Sequence, residues 1–522
     1  MQSRYAKLYS AIATLEANTR EPELIESIPG FPFKAMYPGQ KEIIDRAKAV
    51  PGCCITSHTG MGKTACFLTL TRGKSAIVIE PRKFLQEQCS AGYFHDFVLY
   101  GRSGYVCPLS YAGTAASAYC LAKEDCCDTI YPKTCKNHSG DCLNGTKQCK
   151  VFLAGGEYKQ YPCEYCEYND AVRRSVEVLR GKGTVICNFG NFWKLVRHAE
   201  IVVVDEADLF FKEISNAMPL KFSKPKDGVE DVHGLLEREV RGLKSAAKDK
   251  NPDMRYRATN LLFAAEFLKA NAELCFTYQR KDRIYVEIDP RNTNVLKNKL
   301  FGKKNVVIVS ATPGQFDLPS YSASIHQRCG IYFAPVGNLT SRNLKANPHI
   351  MNSAGRAIKE ISEYMGMIYD ADKMIVHCGN LGTHASSLFQ ILGDENCILH
   401  ESGKLAETIE KYKVSPKRYL LVASAEYGLD ASFCKLQFVL KFPYPHLDER
   451  MNTLKRAMGP EFAGYYTGEA RTRIIQTAGR NVRGYNDFGI TIMLDSKIIE
   501  DYQRNIRLYP EWFRERVNPK VF

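Results

Sequence analysis

The stretch CCITSHTGMGKTA (residues 53–65) changes character twice within a few residues. A short apolar run ends in Thr56. A loop with Gly60 and Gly62 follows, and Lys63-Thr64 opens the helix-like pattern ACFLTL. Strand, glycine loop and helix start, in that order, make a phosphate cradle. Glycines let backbone N–H groups close round an anion, and the helix N-terminus adds its partial positive charge. The segment from Thr59 to Thr64 then divides the work. Thr59, Gly60 and Gly62 would shape the loop, Lys63 would reach the β- and γ-phosphates of a bound nucleotide, and the Thr64 hydroxyl would ligate Mg²⁺. The general pattern GxxxxGK[ST] has glycine at its first position, where this chain has Ser57.

Outward from that loop, similar apolar runs recur: SAIVIE (75–80), IVVVDE (201–206), NVVIVSA (305–311), KMIVHCG (373–379), YLLVASA (419–425), LQFVLKF (436–442) and GITIMLD (489–495). They are rich in Val and Ile and continuous rather than alternating. That pattern predicts strands buried on both faces, hence parallel sheets covered by helices. The runs fall into two groups, one before about residue 320 and one after about 340. Two segments interrupt the first group. Residues 101–166 are rich in cysteine, and residues 212–300 carry a basic stretch (Arg238–Lys250) and a helix-like run, RATNLLFAAEFLKANAEL.

Three further motifs end strands or begin helices. VVVDEAD (202–208) places Asp205 and Glu206 at the end of a buried run. One carboxylate suits Mg²⁺ and the next suits a general base on an attacking water. Read alone, the pair is equally an acidic helix N-cap. SATPG (310–314) ends another run. QTAGRNVR (476–483) presents Gln476, Arg480 and Arg483. The two arginines lie three apart on one helix face and are suited to a γ-phosphate. An isolated RxxR reads as a solvated basic face. More than 400 residues separate this motif from the loop, so a shared site must lie between two domains.

Composition sets the limits. The 522 residues are 45% hydrophobic and 25% charged, as in ordinary globular proteins, which excludes fibrous and disordered classes. No apolar run approaches a membrane span. The N-terminal stretch has no continuous apolar core, so no secretory signal is read there and an intracellular location is expected. The net charge of +14 suits a polyanion, most simply nucleic acid. Of 19 cysteines, nine fall between Cys107 and Cys166. In a reducing compartment such clustering points to metal or cluster ligation rather than disulfides. The segment DCCDTIYPKTCKNHSGDCLNGTKQCK (125–150) is too polar to bury its thiols as small hydrophobes.

Together these residues resemble a known family. Lys63, Asp205-Glu206, SAT at 310–312 and QxxGRxxR at 476–483 occur in the order of superfamily 2 helicases. YGRSGYVC (100–107), TVICNFGNF (184–192) and KFPYPHLDERMNTLKRAMG…YYTGEARTRIIQTAGRNVR (441–483) are similar to segments of the XPD/DinG group. The resemblance runs from about Tyr37 to Asp495. It implies an α/β protein of two RecA-like parallel-sheet motor domains. The first would carry a Cys-rich iron–sulfur insertion and a short helical, arch-like insertion. The corresponding boundaries are 1–100, 167–211 and 301–335 for the first motor domain. Residues 101–166 would be the cluster insertion, 212–300 the arch-like insertion and 336–522 the second motor domain.

The resemblance implies ATP-dependent 5′→3′ movement on single-stranded DNA with unwinding of tailed or forked duplex. It also marks Tyr37 and Gln40 as the adenine-side contact, and Glu426, Gly428 and Asp430 as residues that couple ATP to DNA. Two features depart from the group: DEAD stands where DEAH is usual, and the 212–300 insertion is short for an arch. For a [4Fe–4S] cluster, held typically by four thiolates, Cys107 and Cys120 match the first two ligands. Cys166 matches the last. Cys163 is its near-equal rival, or the third ligand beside it, and Cys126, Cys135, Cys142 and Cys149 also compete. A second site, such as zinc, stays open. The alternative activity is a nucleic-acid-stimulated ATPase, translocase or remodeller that unwinds little.

Overall fold

The structure is a computed structural model. It describes residues 5–18, 23–56, 62–80, 86–87, 95–101, 104–105, 119–120, 148–152, 158–162, 167–207, 210, 220–223, 231–246, 262, 265–281, 283–310, 312, 316–322, 328–401, 404–423, 431–478, 480–482 and 487–522.

The continuous apolar runs form two parallel sheets. The strands, in chain order, are β1 (Cys53–Thr56), β2 (Ala76–Ile79), β3 (Phe97–Leu99), β4 (Thr184–Cys187), β5 (Ile201–Val204), β6 (Leu220–Ser223), β7 (Cys275–Arg280), β8 (Arg283–Ile288), β9 (Asn305–Ser310), β10 (Ser320–Ser322) and β11 (Arg328–Gly337). They continue with β12 (Met374–His377), β13 (Cys397–Leu399), β14 (Tyr419–Val422), β15 (Leu436–Val439), β16 (Phe488–Asp495) and β17 (Val517–Val521). The first seven-stranded sheet has the order β10-β1-β9-β5-β2-β4-β3 and the second β13-β14-β12-β15-β16-β11-β17. Every pairing within them is parallel.

The burial pattern explains why these runs do not alternate. In β5, Ile201 and Val203 face a core that contains Ile43, Ile44, Phe67 and Leu70 from the helices Pro38–Lys48 and Lys63–Thr71. Val202 and Val204 face the other core, with Val172, Val176 and Leu179 of the helix Glu167–Arg180. Both faces are covered, so each position of the strand is apolar. The second sheet is built alike. Met374, Val376, Leu421 and Phe438 pack under the helix His349–Tyr369. Ile375, Leu420 and Val422 pack on the opposite side with Ile409 and Tyr412.

Two boundaries differ from those read in the sequence. The helix Ala6–Asn18 packs on the second sheet rather than the first. Its Tyr5, Leu8 and Ile12 are buried with Ile358, Ile361 and Met365, and the Tyr9 ring stacks on Tyr364 at 3.7 Å. Proximity along the chain suggested the first domain, but an amphipathic helix goes where an apolar face is uncovered. Similarly, β11 pairs with β16 and β17, so the second sheet begins at Arg328 rather than after residue 335. The arch-like insertion, expected as helical, holds the helix Val232–Ala246 together with a three-stranded antiparallel sheet of order β6-β8-β7. Within the cysteine window, residues 119–120, 148–152 and 158–162 form a second small antiparallel sheet. Of the ten cysteines outside that window, nine are described. All nine are free thiols, and eight of them are buried. No helix among the described residues is long and apolar enough to cross a membrane.

A buried polar chain ties the second sheet to the helix that follows. Gln437 in β15 is fully buried. Its amide donates to the Thr477 carbonyl oxygen at 3.1 Å and to Thr491 Oγ1 at 2.8 Å, and its Oε1 lies 3.3 Å from His377 Nε2. Burial pushes the His377 imidazole down to about 4. The hydrogen bond to Gln437 opposes the shift and the Arg480 charge adds to it. The unfolded state, with an ordinary imidazole, takes up a proton that the folded state refuses. Stability from this residue is therefore complete above about pH 6.5 and is lost as pH falls towards 4, by at most about 3 kcal/mol. Denaturant melts between pH 7 and 5 test this: His377→Asn should show a shallower fall of stability with acid than the wild type. Equal slopes would refute it.

Candidate active site between the two sheets

The ends of β1, β2, β5 and β9 converge, because parallel strands deliver their C-terminal ends to one edge of the sheet. Gly62 caps the helix Lys63–Thr71 in the left-handed region, at φ 77°. A β-carbon there would stand 2.6 Å from Gln40 Nε2, so glycine is required both by the turn and by the amide laid over it. Gln40 is itself held. Its Oε1 accepts from the Tyr37 backbone N–H at 2.9 Å, closing a capping box at the start of Pro38–Lys48. The sequence-marked pair Tyr37 and Gln40 is thus one local unit beside Gly62, at the start of the helix Lys63–Thr71. Lys63 and Thr64 are the first two residues of the helix, both partly exposed.

Asp205 and Glu206 follow β5. The Asp205 N–H donates to the Ile79 carbonyl oxygen at 3.1 Å, which continues the pairing of β5 with β2. Asp205 Oδ1 accepts from the Glu206 N–H at 2.9 Å, and Glu206 takes a left-handed backbone at φ 45°. A non-glycine residue there carries strain. Burial pushes the Asp205 carboxyl up to about 6. The Glu206 charge adds to this, and Lys63 opposes it.

A third carboxyl, which sequence reading passed over, completes the cluster. Glu80 follows β2 and is 2% exposed. Burial, then the charges of Asp205 and Glu206, hold it well above the usual carboxylate range. In its neutral form it donates to Asp205, while its Oε2 finds no hydrogen-bond partner among the described residues. The signal was present in SAIVIE, since an acid closing a buried strand beside two others has to be protonated, paired or bound to a cation. What the sequence lacked was the neighbour relation between β2 and β5.

Ser310 and Thr312 of the SAT segment are buried. Their hydroxyls lie 3.0 Å apart, and Ser310 Oγ accepts from the Thr312 N–H at 3.1 Å. From the second sheet, Arg480 reaches the same edge. It is 2% exposed, and its Nη2 lies 3.9 Å from Glu206 Oε1. The guanidinium is aimed from behind by Gln476 on the helix Phe462–Thr477. Arg480 Nε donates to the Gln476 carbonyl oxygen at 2.7 Å, and Nη2 donates to its side-chain Oε1 at 3.3 Å. Residues 476 and 480, more than 400 positions from the loop, therefore join it.

The arrangement offers a cation and a helix N-terminus for phosphates, hard oxygen donors for a divalent ion, a carboxylate for an attacking water, and an arginine on the far side. Among the described residues, no three His, Cys, Asp or Glu side chains could by themselves hold a metal ion. Magnesium here would draw on Asp205, Thr64 and phosphate oxygens. Thr59, Gly60, Glu426, Gly428, Asp430, Arg483, Cys107, Cys163 and Cys166 lie outside the described residues. Of Cys120, only its place on the strand Tyr119–Cys120 is given.

Comparison with known proteins agrees with this geometry. Residues 372–516 match the Helicase C-terminal domain. In structure the chain is similar to S. tokodaii Xpd4 at 14% identity and a TM-score of 0.52, over 92% of this chain and 99% of that one. It is also similar to a solved XPD helicase at 12% identity and a TM-score of 0.50, over 91% and 98%. No curated protein matches the sequence significantly. Residues 372–516, which hold most of the second sheet and the helix that aims Arg480, thus match a helicase C-terminal domain, and the chain as a whole is folded like these XPD structures.

Proposed function

We propose that the chain is an ATP-dependent DNA helicase that moves 5′→3′ on single-stranded DNA and unwinds tailed or forked duplex. One observation carries the reading. The Arg480 guanidinium of the second sheet stands 3.9 Å from the Glu206 carboxylate of the first, beside Lys63 and Asp205. A site split between two domains senses nucleotide by closing, which is what a motor needs. The basic balance of +14 supports a nucleic-acid track, and the sequence resemblance supports DNA and the polarity.

In this reading Lys63 holds the β- and γ-phosphates, and Thr64 and Asp205 hold Mg²⁺. Magnesium, when bound, neutralises charge on the phosphates. Glu206 orients and deprotonates the attacking water. Arg480, with Arg483, stabilises the charge that develops on the transferred phosphoryl group. Tyr37 and Gln40 face the adenine. Glu426, Gly428 and Asp430 couple the nucleotide to DNA. Protonated Glu80 donates a hydrogen bond to Asp205 and so steadies the ligand carboxylate. A [4Fe–4S] cluster in residues 101–166, on four of the nine clustered cysteines, rests on the sequence, as does the intracellular location. Cys107, Cys120, Cys163 and Cys166 are the proposed ligands.

Strand displacement on 5′-tailed and 3′-tailed duplexes with ATP tests the function. Unwinding of the 5′-tailed substrate is expected. Unwinding of the 3′-tailed substrate alone would overturn the polarity, and ATP turnover without unwinding of either would favour a translocase or remodeller. For the site, Lys63→Ala should abolish DNA-stimulated ATPase. Glu206→Gln should cut kcat by roughly 100-fold or more while nucleotide binding persists. Turnover retained in Lys63→Ala would refute the phosphate assignment. For the cluster, protein purified without oxygen should be coloured and carry about four irons per chain, as the proposed cluster type requires. Colourless protein with stoichiometric zinc would rule it out.

A further inference from the structure

Strands β7 and β8 of the arch-like insertion form a hairpin with an unusual tip. Their register sets Arg280 directly opposite Arg283, with Lys281 and Asp282 between them. Arg280, Lys281 and Arg283 are all exposed. Like charges facing each other across an antiparallel pair repel and cost stability. None of the three cations forms an ion pair among the described residues. Asp282 supplies one negative charge, which leaves the four-residue tip at net +2. Lys281 adds a second cost. Its backbone is left-handed at φ 56°, where glycine or asparagine would sit more easily. A tight turn that carries lysine there, with arginines on both sides, has side chains chosen for something other than the turn.

The rest of the hairpin is rigidly mounted. Tyr278 and Tyr285, paired across the strands just below the tip, stack at 5.0 Å and 9°. The Tyr278 hydroxyl donates to Glu287 Oε1 at 2.7 Å, and Arg450 Nε of the second motor domain donates to Glu287 Oε2 at 2.5 Å. Phe276 is buried with Met451, Leu454, Met458 and Phe462 of that domain. The hairpin root is therefore held against both sheets, while Arg280, Lys281 and Arg283 at its end are exposed with no ion-pair partner among the described residues. The helix Glu449–Met458 that covers the root also exposes Lys455 and Arg456.

We propose that the hairpin tip, through Arg280 and Arg283 with Lys281 between them, grips the phosphodiester backbone of the single strand on which the motor moves. A phosphate between two facing guanidiniums removes their repulsion and uses the planar, doubly donating geometry of arginine. The inference rests on the proposed function, since it presupposes a nucleic-acid track. It adds a contact from an insertion that also touches the second motor domain.

The test is binding of fluorescent oligo(dT) and oligo(rU) 20-mers to the full chain across a salt series, for the wild type, Arg280→Ala/Arg283→Ala and Arg280→Lys/Arg283→Lys. The alanine variant should bind both polymers roughly 10-fold more weakly near physiological salt. The slope of log K against log salt should fall by about 0.7, from one lost single-strand phosphate contact. The lysine variant should keep the slope, and ATPase without nucleic acid should be unchanged in both variants. Relief of like-charge repulsion should leave the alanine variant at least as heat-stable as the wild type. Wild-type binding with an unaltered slope in the alanine variant would overturn the hairpin contact alone. A loss confined to one polymer would overturn its assignment to phosphates. A wild type that binds neither polymer would overturn the proposed function and the hairpin contact with it.

Discussion

A buried guanidinium facing a carboxylate across the gap between two sheets is the contact on which the site depends. Arg480 has almost no exposure, and Glu206 is partly exposed. Taking a cation out of water is costly unless acceptors receive it. The Gln476 carbonyl and side-chain oxygens do so from one side, and Glu206 faces it from the other. Behind Gln476, the His377–Gln437–Thr477 chain anchors the same helix to the second sheet. The arginine is thus fixed to its own domain and only faced by the other. A nucleotide between them has charge to offer to both.

The carboxyl cluster shows the same logic in the first sheet. Glu80, Asp205 and Glu206 gather because parallel pairing aligns the ends of β2 and β5. Three ionised carboxylates cannot share a buried corner, so one keeps its proton and becomes a donor. Lys63, at the helix start, opposes the rise of Asp205. The site is preorganised for a cation and an anion together, which is the charge pattern of a metal–nucleotide complex.

The hairpin extends this coupling to the insertion. Its root is packed on the helices Glu449–Met458 and Phe462–Thr477 through Phe276 and the Arg450–Glu287 pair, although its sequence lies between strands of the first sheet. Any change in the relation of the two sheets must move or strain that joint, because a packed apolar cluster and a partly buried ion pair resist gradual sliding.

The sequence by itself determined the two parallel sheets, since residues such as Ile201–Val204 are apolar on both faces only where helices cover both. It also determined the helix start at Lys63 after Gly62, and the local Tyr37–Gln40 unit. Motif order placed Gln476 and Arg480 in the site without showing how they reach it. Only the tertiary structure decided the rest. Glu80 enters the cluster because β2 lies beside β5. The helix Ala6–Asn18 crosses to the second domain because the uncovered apolar face was there. Arg280 faces Arg283 because a two-residue turn sets that register. Each of these depends on which surfaces meet, and pairing between distant segments leaves no period in the chain that carries it.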